Sequence, residues 1–207
     1  MPLDAQFHFA KLRATEGTRL PVLREQLEAG LVHRLNDAGI TLWGAWAAIF
    51  GIAGNEVIIV TNAAPDLDLR GGVEAAVSAW DGVEIIDEHL MTPTIRPART
   101  SRLATPEGIY VIRYFDLLRS DIDEFVRLSD QGWPSFEADE EFDFQPQGLF
   151  VREGESERTS MVLITWYESL ASWQRSRQFP EDARKAFQQR GTFTLRSIAY
   201  ATRLLQP

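Results

Sequence analysis

A chain of 207 residues with 44% hydrophobic and 25% charged side chains is globular in composition, large enough for one big domain or two small ones, and unlike a disordered or fibrous protein. Its 30 acidic against 21 basic side chains leave a net charge of −9, which repels nucleic-acid phosphates and anionic lipid head groups and argues against both as partners. The lack of cysteine excludes disulfides and thiolate chemistry, and Met1-Pro-Leu-Asp-Ala-Gln lacks the features of a secretory signal, so a cytoplasmic protein is expected.

In chain order, Phe7 to Arg13 reads as a short strand. Pro21 to Ala38 reads as a helix, with Leu23, Leu27, Leu31 and Leu35 four apart on one stripe and Gly39 as its stop. The next stretch, Thr41 to Thr61, is the most apolar of the chain. Its first part, Leu42 to Ala53, is far shorter than the ~20 residues that cross a bilayer as a helix, and Gly54-Asn-Glu interrupts it with a charge. Glycines 44, 51 and 54 do not have the G-x-G-x-x-G spacing of a dinucleotide loop. Two strands joined by a Gly-Asn turn remain. A helix over Leu67 to Trp80 and a strand at Val83-Glu-Ile-Ile complete the order β-α-β-β-α-β.

That order repeats. Ile109 to Phe115 is a strand, and a capping-box spacing from Ser120 to Asp123 or Glu124 opens a helix that is apolar at Ile122, Phe125, Val126 and Leu128. The acidic run Glu137 to Asp143 lacks the pattern of a calcium loop and reads as a solvated loop. Strands follow at Gln147 to Arg152 and Ser160 to Tyr167, then a helix over Leu170 to Arg190 broken at Pro180, then a closing strand from Phe193 to Leu204. Phe7 aligns with Ile109, Val57 with Met161 and Gly82 with Gly191, the spacing of a tandem duplication. The two units would span 1–95 and 108–207, with a linker at 96–107 overlapping the stretch Thr92 to Pro106, which carries Arg96, Arg99 and Arg102.

Each unit predicts a four-stranded antiparallel sheet with both helices on one face, the ferredoxin-like arrangement. Val57 to Val60 and Met161 to Ile164 are apolar at consecutive positions, so both faces of each sheet should be dry. The expected fold is therefore α+β: two tandem ferredoxin-like units whose antiparallel sheets pack into an α/β barrel, enclosing a cavity for a small ligand. One chain would supply both halves, giving a monomer built as a pseudo-dimer, or a homodimer.

The stretch Leu42-Trp-Gly-Ala-Trp, then Phe50-Gly, then Asn55-Glu-Val, following a helix that ends in Gly, resembles the second and third strands of the NIPSNAP proteins of the dimeric α/β-barrel superfamily. Tyr167-Glu-Ser-Leu-Ala-Ser-Trp-Gln-Arg is similar to that family's passage from third strand into an arginine-rich helix, and Tyr110-Val-Ile-Arg-Tyr-Phe to its opening strand, with Arg113 where an arginine is expected. Lys11 falls at the equivalent place in the first half. Of the family's His-x-Trp-x-Tyr pattern, the stretch Leu163-Ile-Thr-Trp-Tyr keeps the tyrosine, Tyr167. The resemblance implies the barrel fold and transfers no catalytic mechanism, while the wider fold includes cofactor-independent monooxygenases, haem-dependent peroxidases, isomerases and lyases.

Candidate ligand-binding residues follow from the strands. His8 could hang into the cavity as a base or an axial haem ligand, although no cofactor motif is present and none of the three histidines has a second metal-type ligand at regular spacing. Lys11 and Arg113 are cations on otherwise apolar strands and need an anionic partner. Alternation groups Arg113 with Val111 and Phe115, a face expected to look into the barrel because aliphatic helices would not accept the charge. Trp43, Trp46, Trp166 and Tyr167 could line the cavity. The motifs of serine hydrolases, phosphate loops and zinc peptidases are missing. The leading expectation is a small-molecule-binding protein of NIPSNAP type. The alternatives are a cofactor-independent monooxygenase, in which His8, Arg113, Trp166 or Tyr167 positions a substrate carbanion for oxygen, and a non-catalytic interaction module.

Overall fold

All eight residues of Glu56–Ala63 are buried, including Thr61 and Asn62, which a sheet with one wet face cannot provide. The computed structural model, which describes residues 3–15, 25, 27–103, 107–138, 143–178 and 181–205, shows how this is met. Among these residues the strands are β1 (Gln6–Ala14), β2 (Thr41–Phe50), β3 (Glu56–Ala63), β4 (Val83–Arg96), β5 (Ile109–Leu118), β6 (Phe144–Arg152), β7 (Arg158–Tyr167) and β8 (Arg196–Leu204). They close into one antiparallel barrel in the order β1-β3-β2-β8-β5-β7-β6-β4. Each half, β4-β1-β3-β2 and β8-β5-β7-β6, has the ferredoxin-like strand order, and the halves meet along the β2–β8 and β4–β6 seams.

The barrel axis is filled. Phe7, Phe9, Trp43, Trp46, Tyr110, Ile112, Phe150, Val162, Ile164 and Trp166 form one buried cluster. Its rings meet edge to face: Phe7 lies 5.9 Å from Trp43 at 87°, and Trp43 lies 5.7 Å from Phe150 at 80°. The ligand cavity expected inside the barrel is therefore occupied by the protein's own aromatic side chains. Trp43 and Trp46 are three residues apart and would face opposite ways on a regular strand. A bulge between Leu42 and Gly44 in the pairing with β3 turns both inward. Gly44 makes room for this, because a Cβ there would stand 2.3 Å from the Trp46 indole.

Helices cover the outside in two layers. Over the first half lie α1 (Val32–Asp37), which continues from a π-helical turn at Leu27–Leu31, and α2 (Leu69–Ser78). Pro21 to Arg24, including Leu23, lie outside the described residues. Asp68 caps α2 by accepting the Gly71 N–H at 3.0 Å, and Leu69, Val73, Ala76 and Val77 turn to the sheet. Over the second half lie α3 (Ile122–Glu137), α4 (Leu170–Arg175) and α5 (Glu181–Thr192), with Pro180 outside the described residues. In α3 the buried positions Phe125, Leu128, Ser129, Gly132, Trp133 and Phe136 follow the helical period. Ser120 does not cap this helix. It sits in a 3-10 turn at Arg119–Asp121, and its hydroxyl reaches Asp121 at 3.3 Å instead.

The stretch expected to begin the linker is strand: β4 runs on through Thr92 to Arg96, and Met91, Thr92, Pro93 and Arg96 pair with Arg152, Val151, Phe150 and Leu149 of β6. Pro93 is accepted because the ladder shifts register between Pro93 and Arg96. At the strand's end Arg96 forks onto Glu137, the last residue of α3, at 2.6 and 2.9 Å. The same guanidinium donates to the Pro146 carbonyl at 2.9 Å and lies 5.1 Å from the Trp133 ring. Strand β8 starts at Arg196, three residues after Phe193. Among the described residues no helix is long and apolar enough to cross a membrane.

Gly44→Ala is expected to destabilise the protein by about 1–3 kcal/mol through overpacking against Trp46, measured as a lower urea midpoint with an unchanged slope. A wild-type midpoint would show that the indole has room to move.

Candidate functional site

Space for a ligand lies outside the barrel, between the second half's sheet and its helices. Alternation along β5 and β7 sends Val111, Arg113, Leu163, Thr165 and Tyr167 to the outer face. Trp133 and Phe136 come down from α3, Phe187 and Arg190 from α5, Ser176 and Arg177 from the segment after α4, and Phe144 from β6. Together they bound a cavity of about 130 Å³. Gly132 lets α5 come this close, since a Cβ there would lie 2.6 Å from the Phe187 ring.

The first half has the same layer without the space. By ladder position Ala10 stands where Arg113 stands, Ile59 where Leu163 stands and Ala63 where Tyr167 stands. Leu27, Leu31, Leu35, Ile40, Val73, Val77 and Trp80 fill the gap between that sheet and its helices.

The cleft is built around cations. Arg190 lies 4.4 Å from the Phe187 ring, 5.1 Å from Phe125 and 5.4 Å from Phe115, and its Nη1 donates to the Ser129 hydroxyl at 3.1 Å. Ser129 in turn donates to the Phe125 carbonyl at 2.7 Å, which fixes the oxygen that Arg190 meets. Arg113 flanks the same Phe115 ring at 6.0 Å, and Arg177 stacks on Trp173 at 5.1 Å. Among the described residues none of these three arginines forms an ion pair, and no carboxylate lines the cleft. Burial, then the charges of Arg113 and Arg177, pull Arg190 down to about 9, and burial followed by Arg177 lowers Arg113. Arg190 remains charged at neutral pH. Positive charge is thus held in a half-dry site with no counter-ion among the described residues, an arrangement that costs folding energy and favours an anion.

No family model and no curated protein matches the chain. Solved structures do. A candidate monooxygenase from Fusobacterium nucleatum subsp. nucleatum ATCC 25586 is similar over 100% of this chain and 94% of its own at 9% identity, with a TM-score of 0.67. A mutant chlorite dismutase from Candidatus Nitrospira defluvii is similar over 100% and 93% at 9% identity, with a TM-score of 0.64. An anthrone oxidase-like protein is similar over 97% and 92% at 12% identity, with a TM-score of 0.58. The chain has the dimeric α/β-barrel fold. At these identities the likeness bears on fold alone.

Within the dimeric α/β barrel, haem is a group the wider fold implies, and the cleft does not fit it. Among the described residues no histidine lines the cleft, and about 130 Å³ is well below the ~300–1,000 Å³ of pockets for drug-sized ligands. Among the described residues there is also no cluster of three or more His, Asp or Glu side chains able to hold a metal ion.

Of the residues singled out in the sequence, Arg113 and Tyr167 line the cleft, and Phe115 carries two of its guanidinium groups. Arg113 faces the helices, opposite to expectation, because aromatic rings rather than aliphatic side chains receive it; Tyr110, Ile112 and Tyr114 take the barrel side. Lys11 is not the counterpart of Arg113. It lies on the barrel side of β1, with its Nζ 5.4 Å from the Tyr200 ring. Trp43, Trp46 and Trp166 belong to the barrel core. His8 does not hang into the barrel. It is fully buried on the outer face of the first half, with Nε2 2.9 Å from Glu88, which also meets Arg70 of α2 at 3.4 Å. The residues that sequence reasoning missed include Arg177, Arg190, Trp133, Phe136, Phe144 and Phe187. The arginine-rich run from Arg175 onward was the available signal.

Burial, aided by Arg70, lowers His8 to about 4 against the opposing pull of Glu74. Its Nδ1 has no partner, so a protonated ring would leave a buried donor unpaired and the neutral form is favoured. The unfolded chain takes up this proton near pH 6.5 and the folded one only near 4. His8 therefore contributes full stability above pH 6.5 and loses it as the pH falls toward 4, by about 1–3 kcal/mol. Urea midpoints for wild type and His8→Gln should converge at low pH, and parallel profiles would count against a neutral His8.

Arg113→Met keeps the stem and removes a charge that has no counter-ion among the described residues. The ligand-free protein should become more stable by about 1 kcal/mol, read by thermal unfolding, whereas a structural ion pair would give a loss.

Proposed function

We propose that this is a NIPSNAP-like protein that binds a small organic anion, in the cleft between the sheet and helices of the second unit and not along the barrel axis. The observation that carries the reading is the group of three arginines, Arg113, Arg177 and Arg190, turned into a cleft whose described lining has no carboxylate. Guanidinium groups bind carboxylates through paired hydrogen bonds, and in a half-dry site each such bond is strong. The hydroxyl-bearing side chains Thr165, Tyr167 and Ser176 line the same cavity and add polar contacts. The strand stretch Leu42 to Val57 and the Tyr167 passage support the NIPSNAP likeness. All eight strands of the barrel come from one chain, which supports a monomer composed of two units, the second beginning near residue 108. A cytoplasmic location belongs to the same reading.

A second reading has its own support. Cations that hold a carboxylate also stabilise an enolate, and solved neighbours include candidate monooxygenases and an anthrone oxidase-like protein. In this reading the chain is a cofactor-independent monooxygenase. Arg113 and Arg190 hold a substrate carbanion as its enolate while O2 converts a CH2 group to C=O and water leaves. A filled barrel also suits an interaction module, but such a module has no need of charges without counter-ions.

Thermal unfolding of the full chain at low ionic strength, against a panel of organic carboxylates, tests the binding reading. Carboxylates should raise the midpoint in proportion to log concentration, and Arg113→Met should weaken the effect roughly tenfold or more. A panel without effect, or an equal effect on the variant, removes the cleft as an anion site. Oxygen uptake at background over quinol and polyketide-like substrates removes the monooxygenase reading.

A further inference from the structure

The cleft's anion can be narrowed by size, wall chemistry and charge, taken in turn. A cavity of about 130 Å³ is close to the ~150 Å³ that admits one benzene ring into a protein core, and two or three fused rings exceed it. The walls are rings: Phe136 lies 5.1 Å from Phe144 and 5.5 Å from Phe187, and Phe144 lies 5.4 Å from Tyr167. A small hydrated oxyanion would set its water shell against this apolar wall, whereas a flat ring meets it edge to face. Beside these rings, Arg190 is held by its contacts with Phe115, Phe125 and Phe187 and by its hydrogen bond to Ser129, so its guanidinium is placed before any ligand arrives. A pre-set planar fork suits a planar carboxylate, because little freedom is lost on binding.

We infer that the cleft takes a single-ring aromatic carboxylate, an anion of the benzoate type, with its ring among Trp133, Phe136 and Phe144 and its carboxylate toward Arg113 and Arg190. This rests on the anion-binding reading and specifies its ligand class. It also sets the stoichiometry. The matching layer of the first unit has Ala10 in place of Arg113 and is filled by leucine and valine side chains, so one chain binds one ligand.

Titration calorimetry of the full chain at low ionic strength tests this with five probes: benzoate, benzamide, acetate, inorganic phosphate and anthracene-9-carboxylate. Benzoate should bind one per chain. Benzamide, which keeps the ring and loses the charge, and acetate, which keeps the charge and loses the ring, should each bind roughly tenfold more weakly or worse. Phosphate and the three-ring acid should bind more weakly still. Arg113→Met should abolish the preference for benzoate over benzamide, and Phe144→Ala should shift the preference toward the larger acid. Acetate or phosphate binding as tightly as benzoate overturns the aromatic class while leaving an anion site. Benzamide equal to benzoate, or no binding by any of the five, overturns the anion reading itself. If Arg113→Met does not fold, the benzoate-to-benzamide ratio on the wild-type chain decides alone.

Discussion

The structure depends on one constraint: a closed barrel covered by helices buries both faces of its central strands, β3 and β7. With eight strands the interior is wide enough for side chains and little else, and here interlocking aromatic rings fill it. Closure removes exposed strand edges and leaves no room on the axis. The cleft lies instead in the second dry layer, between strand and helix. That layer exists twice, and it is solid in one half and hollow in the other.

The difference between the halves comes down to a few side chains on matching strands. Where the first half places Ala10 and Ala63, the second places Arg113 and Tyr167, and the helices above change with them. Leucine and valine close down on alanine without a gap. Arginine needs something to lie against: Phe115 serves Arg113, and Phe115, Phe125 and Phe187 serve Arg190. The first unit is thus a packed layer, and the second gives up part of its packing to keep like charges together. Such a concession is common where stability is traded for a binding function.

Strand order and fold class were legible because they rest on periodicity. The run Val57 to Val60 is apolar at every position, and a sheet buried on both faces was its direct consequence. What was not legible depended on single residues. The bulge at Trp43 reverses a facing that plain alternation assigns, and no local sequence rule announces it. The pairing of Arg113 with Val111 and Phe115 was correct, but choosing the barrel side required knowing that the helix layer is aromatic at that point, which depends on α3 and α5 converging through Gly132. Thr92 to Arg96 reads as linker by composition, yet pairing with β6 makes it strand, because a neighbouring strand can override local turn chemistry. Arg190 shows the same limit: twelve residues of helix set its place, and only tertiary packing brings it over Phe115.

The bond from Arg96 to Glu137 and Pro146 has a consequence for how the site is owned. Arg96 ends a strand of the first half, yet it holds the last turn of α3, one turn beyond Trp133, and its guanidinium lies against that same indole. The wall of the second unit's cleft is therefore anchored from outside that unit, and its edge strand β6 takes half its ladder from β4. A fragment beginning after the junction would carry every arginine of the site and still lack the brace that sets the height of its roof. The half whose layer is filled serves as the frame for the half whose layer is open.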